Sequence, residues 1–437
     1  MARWIADWHP DDPAFWARSG RRVARRNLIV SIVAEHLGFT VWTVWSIVAT
    51  RMGLYEFSTD QLFWLVALPN LVGSVLRVPY TFGPARFGGR TFTVVSALLL
   101  LIPAALLGVA VNDPGTPYWL FLVIAALAGL GGGNFASSMA NITYFYPRDK
   151  QGVALGLNAA GGNIGVSSVQ LVMPLVIGSL GLAAAGWFWI PLIVVSAACA
   201  WFFMDNLASA RAEPREQLAV AGRAQTWIMS FLYIGTFGSF IGYSTAFPLL
   251  SANLFDSGAP YAAVAFIGPL IGSLVRPAGG WLADRFGGAP VTLWNFAAMG
   301  GGVLLVWLAG TSGDFWLFFL AFQTLFLTAG IGNGSTYRMI PAIFQAKAVA
   351  ERGESEQALL YGKRQASAAI GIISAVGALG GFLINRAFGM SFAAAGTPAP
   401  AFLAFGAFYV SCAALTWWCY TRKAGASVIG SLAHARV

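Results

Sequence analysis

The sequence predicts an all-α membrane protein of twelve transmembrane helices in two pseudo-symmetric six-helix bundles. Composition, the length of the apolar runs and an internal repeat each lead there. Of 437 residues, 57% are hydrophobic and only 10% charged, whereas a soluble protein of this size carries about 25% charged residues. A chain this apolar cannot hide its surface in one aqueous core, so the bilayer is its solvent.

A membrane helix needs about 20 mostly apolar residues. Apolar runs between polar or Gly/Pro breaks give twelve spans, at 27–50, 60–83, 91–111, 118–146, 152–180, 184–204, 226–252, 259–283, 290–310, 314–344, 362–387 and 400–421. These form an N-terminal bundle (27–204) and a C-terminal bundle (226–421), joined by the charged stretch 205–225. Residues 1–26 and 422–437 form the polar ends. About 26 polar, Arg-rich residues precede the first span, so a cleavable signal peptide is not expected there.

The net charge is +9, and its placement decides what it means. The basic residues include Arg18, Arg21, Arg22, Arg25 and Arg26, Arg86 and Arg90, Arg148 and Lys150, and Arg211, Arg215 and Arg223. Lys347, Arg352, Lys363, Arg364, Arg422 and Lys423 extend the set. In an alternating parse all of these fall on one side of the membrane, and Arg51 is the exception. That is the positive-inside pattern, which predicts cytoplasmic termini and removes nucleic acid as a partner. Cys199, Cys412 and Cys419 lie in apolar runs and read as small core residues, with no disulfide and no metal site.

The halves repeat one another. LVGSVLRVPYTFGPARFGGR (71–90) aligns with LIGSLVRPAGGWLADRFGG (270–288), so Arg77 matches Arg276 and Arg86 matches Arg285 at an offset of 199. AGLGGGNF (128–135) aligns with AGIGNGST (329–336) at an offset of 201. A duplicated unit of this kind places a substrate site between halves near the midplane.

Arg77 and Arg276 each lie nine residues before a loop arginine, hence about 13 Å into a hydrocarbon core about 30 Å thick. An arginine there costs at least about 2.5–3.5 kcal/mol and cannot shed its proton. Of the 17 Asp and Glu, all but Glu35 fall in loops or at helix ends. Two fixed positive charges with at most one carboxylate imply that the balancing anion is the substrate. The competing reading is that each arginine bonds backbone carbonyls or snorkels to the surface. Planar guanidinium forks suit a small planar oxyanion better than tetrahedral phosphate or sulfate. Glu35 and His36 lie inside the first span, where Glu35 could carry a coupling proton or pair with Arg25 and Arg26.

Six spans, a linker and six more, with GGWLADRFGG resembling the loop motif between second and third helices, resemble the major facilitator superfamily. In the first half the matching GPARFGGR lacks the Asp. More narrowly, the chain resembles the NarK-type nitrate/nitrite porter family over nearly its full length. The blocks that carry this are DWHPDDPAFW (7–16), TDQLFWLVALP (59–69), LRVPYTF (76–82) and GGNFASSMANITYFYPRDKQGVALGLNAAGGNIGVS (132–167). WIMSFLYIGTFGSFIGYS (227–244), TAGIGNGST (328–336) and GIISAVGALGGF (371–382) complete them.

The resemblance implies nitrate-clamping arginines at Arg77 and Arg276, sandwiching rings at Phe135 and Phe237, and a hydrogen-bonding phenol at Tyr233. It also implies two Gly-rich signature helices, with Asn163 as the polar contact in the first and Ser374 in the second. The first contains Gly152, Gly156, Gly161 and Gly162; the second contains Gly371 and Gly377. Gly152, Gly156 and Ala160 repeat every fourth residue, which is expected to let helix backbones pack closely.

Expected, then, is a monomeric nitrate/nitrite antiporter of the bacterial inner membrane, without cofactor or metal. Nitrate/proton symport through Glu35 and a non-transporting anion sensor are the alternatives. An enzyme is not expected, because His9, His36 and His434 lie far apart and no nucleophile constellation accompanies them.

Overall fold

The computed structural model describes residues 4–147, 150–210, 219–255, 260–422 and 432. Arg148, Arg211, Arg215, Lys423 and His434 lie outside the described residues, as does the middle of the charged stretch between bundles.

Among the described residues, eleven helices are long and apolar enough to cross a bilayer. They are α1 (Pro13–Arg51), α2 (Thr59–Phe87), α3 (Gly89–Ala110), α4 (Tyr118–Phe145), α5 (Gln151–Leu180) and α6 (Ala184–Phe203) in the first half. In the second half they are α8 (Tyr261–Phe286), α9 (Gly288–Thr311), α10 (Phe315–Arg352), α11 (Glu356–Ala395) and α12 (Ala399–Thr421). The remaining span, α7, runs from Ala224–Tyr233 through a π-helical turn at Ile234–Gly238 into Ser239–Leu254. Its Ser, Thr, Gly and Tyr residues dilute its hydropathy, and it is buried along most of its length. The chain is thus an all-α membrane protein. It divides into one unit of residues 1–213 with 260–266 and a second of 214–259 with 267–437.

Several helices outrun their apolar cores. α1 begins at Pro13, well before the expected 27, because the Asp12 carboxylate accepts from the Ala14 N–H at 2.9 Å and Pro13 occupies the first turn. The arginines that follow are good helix formers, so the helix continues through them to the apolar run. α11 starts at Glu356, where the Ser355 hydroxyl accepts from the Ala358 N–H at 3.1 Å. Asp314 caps α10 in the same way, accepting from Trp316 N at 2.8 Å.

The repeat is visible inside each unit. In the first, α2 crosses α4 so closely that a Cβ on Gly132 would sit 2.8 Å from the Gly73 Cα. In the second, α8 crosses α10, and a Cβ on Gly330 would sit 2.4 Å from the Gly272 carbonyl oxygen. Gly88 and Gly287, again 199 apart, end α2 and α8 with φ of 85° and 90°, a conformation open to glycine and costly for other residues.

A feature absent from the sequence reading ties down the arginine-rich end of the first unit. β1 (Trp4–Ile5) pairs in parallel with β2 (Asn206–Leu207). Trp8 packs edge-on against Phe15 and Phe145, with its indole N–H donating to the Tyr144 carbonyl at 3.1 Å. Asp205 pairs with Arg26 and accepts from Asn27, while Asn206 Oδ1 accepts from Arg90 N at 2.9 Å. The first residues after α6, which read as linker, are therefore fixed to the first unit by buried hydrogen bonds.

Gly330→Val forces a branched side chain into the α8–α10 crossing. It should cost about 1–3 kcal/mol, read as a lower unfolding midpoint of the purified protein. Gly156→Ala should leave the midpoint unchanged or slightly raised, since no atom lies within 4 Å of its Cβ position. Equal falls for the two would contradict the crossing.

Candidate functional site

In the first unit, Arg77 on α2 is fully buried. Its Nε donates to the Gly132 carbonyl of α4 at 3.2 Å. The guanidinium carbon lies 4.5 Å from the Phe135 ring centroid and 5.5 Å from that of Trp42. A carbonyl dipole and two aromatic faces thus hold the cation, each supplying partial negative charge. The geometry depends on glycine: with a side chain at position 132, α4 could not come near enough for its carbonyl to be reached. Trp42 is itself held by its indole N–H, which donates to the Pro69 carbonyl at 2.8 Å. The indole reaches that carbonyl because Gly73, one turn on, has no side chain in the way: a Cβ there would lie 2.7 Å from the Trp42 Nε1.

In the second unit, Arg276 on α8 is 8% exposed, with its guanidinium carbon 5.4 Å from the Tyr337 ring centroid. Its Nη1 is buried and has no hydrogen-bond partner among the described residues. A buried unsatisfied donor on a charged group is costly, so the site is incomplete without a further acceptor. Tyr337 lies 6.3 Å from Tyr233, which stacks on Phe237 at 5.4 Å with an interplanar angle of 15°. Tyr233 caps the π turn of α7 and Phe237 lies within it, four residues on, and the two rings stack. Such turns recur at functional sites.

The first signature helix is α5. Asn163 is 1% exposed, and neither its amide oxygen nor its amide nitrogen has a partner among the described residues. Gly161 and Gly162 are packed, since a Cβ would lie 2.4 Å from Ile32 and 2.2 Å from the Glu35 carboxylate respectively. At Gly152 and Gly156, however, no atom lies within 4 Å of the Cβ position, so the close packing expected there is not what these glycines do. In the second signature, on α11, a Cβ at Gly377 would lie 2.4 Å from the Tyr233 ring. Gly371 is half-buried, and its carbonyl accepts from the Ser374 hydroxyl at 3.0 Å.

Glu35, 1% exposed, accepts from the Asn158 amide at 2.7 Å. Asn158 also donates to Ser138 Oγ at 2.6 Å, and Ser138 hydrogen-bonds to Ser31 at 2.8 Å. Arg26, one of its two candidate partners in the sequence reading, instead pairs with Asp205. His36 is bonded to the Gly161 carbonyl at 3.0 Å.

The structure thus brings Arg77 to Phe135 within one unit, and links Arg276 to Tyr233 and Phe237 through Tyr337 within the other. Sequence reasoning missed Tyr337, Trp42 and Asn158. Tyr337 follows directly on the repeated block 329–336, which was the available signal.

Comparison with known proteins identifies the family. The Major Facilitator Superfamily family model matches residues 28–355. The chain is 45% identical over 446 residues to "Nitrate/nitrite transporter NarU" of Salmonella typhimurium, and equally so to the protein of that name from Escherichia coli, covering 96% of each chain. It is 38% identical over 450 residues to "Probable nitrate/nitrite antiporter NarK2" of Thermus thermophilus, covering 96% of this chain and 97% of the relative. Its deeply placed arginines, its repeated glycine crossings and these full-length similarities agree: the chain belongs to the Major Facilitator Superfamily and, within it, to the NarK-type nitrate/nitrite porters, which are transporters and not enzymes.

Proposed function

We propose that this protein carries nitrate and nitrite across the bacterial inner membrane by alternating access, with both termini in the cytoplasm, exchanging external nitrate for internal nitrite. The observation that carries the proposal is the buried Nη1 of Arg276, which has no partner among the described residues, at the position repeat-related to buried Arg77. In this reading a single planar anion completes both guanidinium groups. Phe135 and Phe237 cover its faces, while Tyr233 and Asn163 donate to its edge.

Exchange follows from the charges. Closing an empty site around two cations leaves their repulsion and desolvation uncompensated. A bound monovalent anion offsets much of that cost, so the loaded carrier reorients and the empty one does not. No proton is needed. The open faces of Gly152 and Gly156 suit a helix that slides during reorientation, with Ser374 as a lesser polar contact on α11.

Arg77→Lys keeps the charge but removes the fork. A hydrogen bond to a charged group is worth about 1.5–3 kcal/mol, so nitrate uptake into proteoliposomes should fall about tenfold or more. Uptake near the parent rate in Arg77→Lys would sink the arginine clamp. Gly156→Leu should leave nitrate binding and the unfolding midpoint intact while slowing uptake; unchanged uptake would remove the sliding role.

The burial of Glu35 against Asn158 favours weighing a second reading, nitrate/proton symport. It predicts uptake into nitrite-free vesicles under an inward proton gradient, abolished in Glu35→Gln. Exchange predicts that Glu35→Gln retains uptake into nitrite-loaded vesicles.

A further inference from the structure

We infer that the arginine-rich end of the first unit carries a binding site for the headgroup of an anionic phospholipid. The start of α1 and the end of α6 enclose a groove of about 460 Å³, lined by Arg18, Arg21, Arg22 and Arg25. Among the described residues, no carboxylate lines it. Arg26, also at its edge, is already paired with Asp205, and that aspartate is buried. The other four cations therefore face the groove with no acid among its described lining residues to balance them. This concentration of one sign exceeds what orienting a helix requires, since a basic excess anywhere in the short flanking segment would do that.

The floor of the groove says what kind of anion it takes. Arg22, Arg25 and Ile29 recur at intervals of three and four residues, which places them along one face of α1, and Arg18, in the π turn Trp16–Gly20 before them, lines the same groove. Ile29 and Phe203 also line the groove and are exposed by 51% and 52%. From Arg25 to Ile29 the helix rises about 6 Å, the distance from a phosphate into the top of the acyl region. A free inorganic anion would use the guanidinium groups and leave the apolar floor in water. A lipid uses both, its phosphate on the arginine forks and an acyl chain along Ile29 and Phe203. A nucleic acid could not reach a floor that opens toward hydrocarbon. The site is separate from the anion clamp, and it stands whether or not nitrate is the cargo.

The test is retention of lipid by the purified full-length protein, read by native mass spectrometry from neutral detergent. Phosphatidylglycerol and phosphatidylcholine are offered in turn, with and without excess inorganic phosphate. Expected for the parent protein is retention of phosphatidylglycerol and not phosphatidylcholine, undiminished by inorganic phosphate. Each arginine removed among Arg18→Gln, Arg22→Gln and Arg25→Gln should weaken retention about five-fold. Arg285→Gln, at an arginine in the last turn of α8 in the other unit, should not weaken it. Equal retention of the two lipids by the parent protein overturns the inference without recourse to any variant. Displacement by inorganic phosphate reassigns the groove to free anions, and loss that is equal in Arg285→Gln reduces it to bulk charge.

Discussion

A guanidinium group inside a bilayer cannot lose its proton and cannot be left bare, and the architecture around Arg77 and Arg276 follows from that. Arg77 is made tolerable by the Gly132 carbonyl and the faces of Phe135 and Trp42. Those contacts exist only because α2 and α4 cross at Gly73 and Gly132 with no side chain between them. The glycines and the arginine are one device: small residues bring a carbonyl within reach of a charge that has no water. The second unit repeats the close glycine crossing. Gly279 and Gly334 let α8 meet α10, where a Cβ on Gly334 would lie 2.1 Å from the Arg276 carbonyl oxygen, and the Tyr337 ring lies against the guanidinium.

The two copies hold their cations differently. Arg77 donates to a backbone carbonyl beneath two aromatic faces, whereas Arg276 lies against Tyr337, with its buried Nη1 lacking a partner among the described residues. The signature helices divide similarly. Gly161 and Gly162 make room for Ile32 and Glu35, Gly377 makes room for Tyr233, and Gly152 and Gly156 face open space.

Much of this was legible in the sequence, for identifiable reasons. The spans could be read because crossing hydrocarbon demands a long apolar run, and Arg77 and Arg276 stood out because their cost is large. The ends of α1 and α11 could not be read from hydropathy, since arginine, glutamate and glutamine extend a helix beyond the bilayer without adding apolar character. The pairing of β1 with β2 joins residues about 200 apart, and a two-residue strand leaves no periodic pattern. Trp42 and Tyr337 were hidden by number. With 17 Trp and 12 Tyr in the chain, a ring in an apolar run reads as packing until a cation is seen above it. The π turn at Ile234–Gly238 has no sequence signature, although the four-residue spacing of Tyr233 and Phe237 placed their rings on one face.

The most direct test of the two-cation account compares nitrate uptake into proteoliposomes loaded with nitrite and into empty ones, at equal pH on both sides. If an unloaded pair of arginines resists closure, uptake should be rapid into loaded vesicles and close to background into empty ones, and indifferent to a protonophore. Equal uptake into both would show that the empty carrier reorients freely, and the charge balance at Arg77 and Arg276 would then not be what couples the two anions.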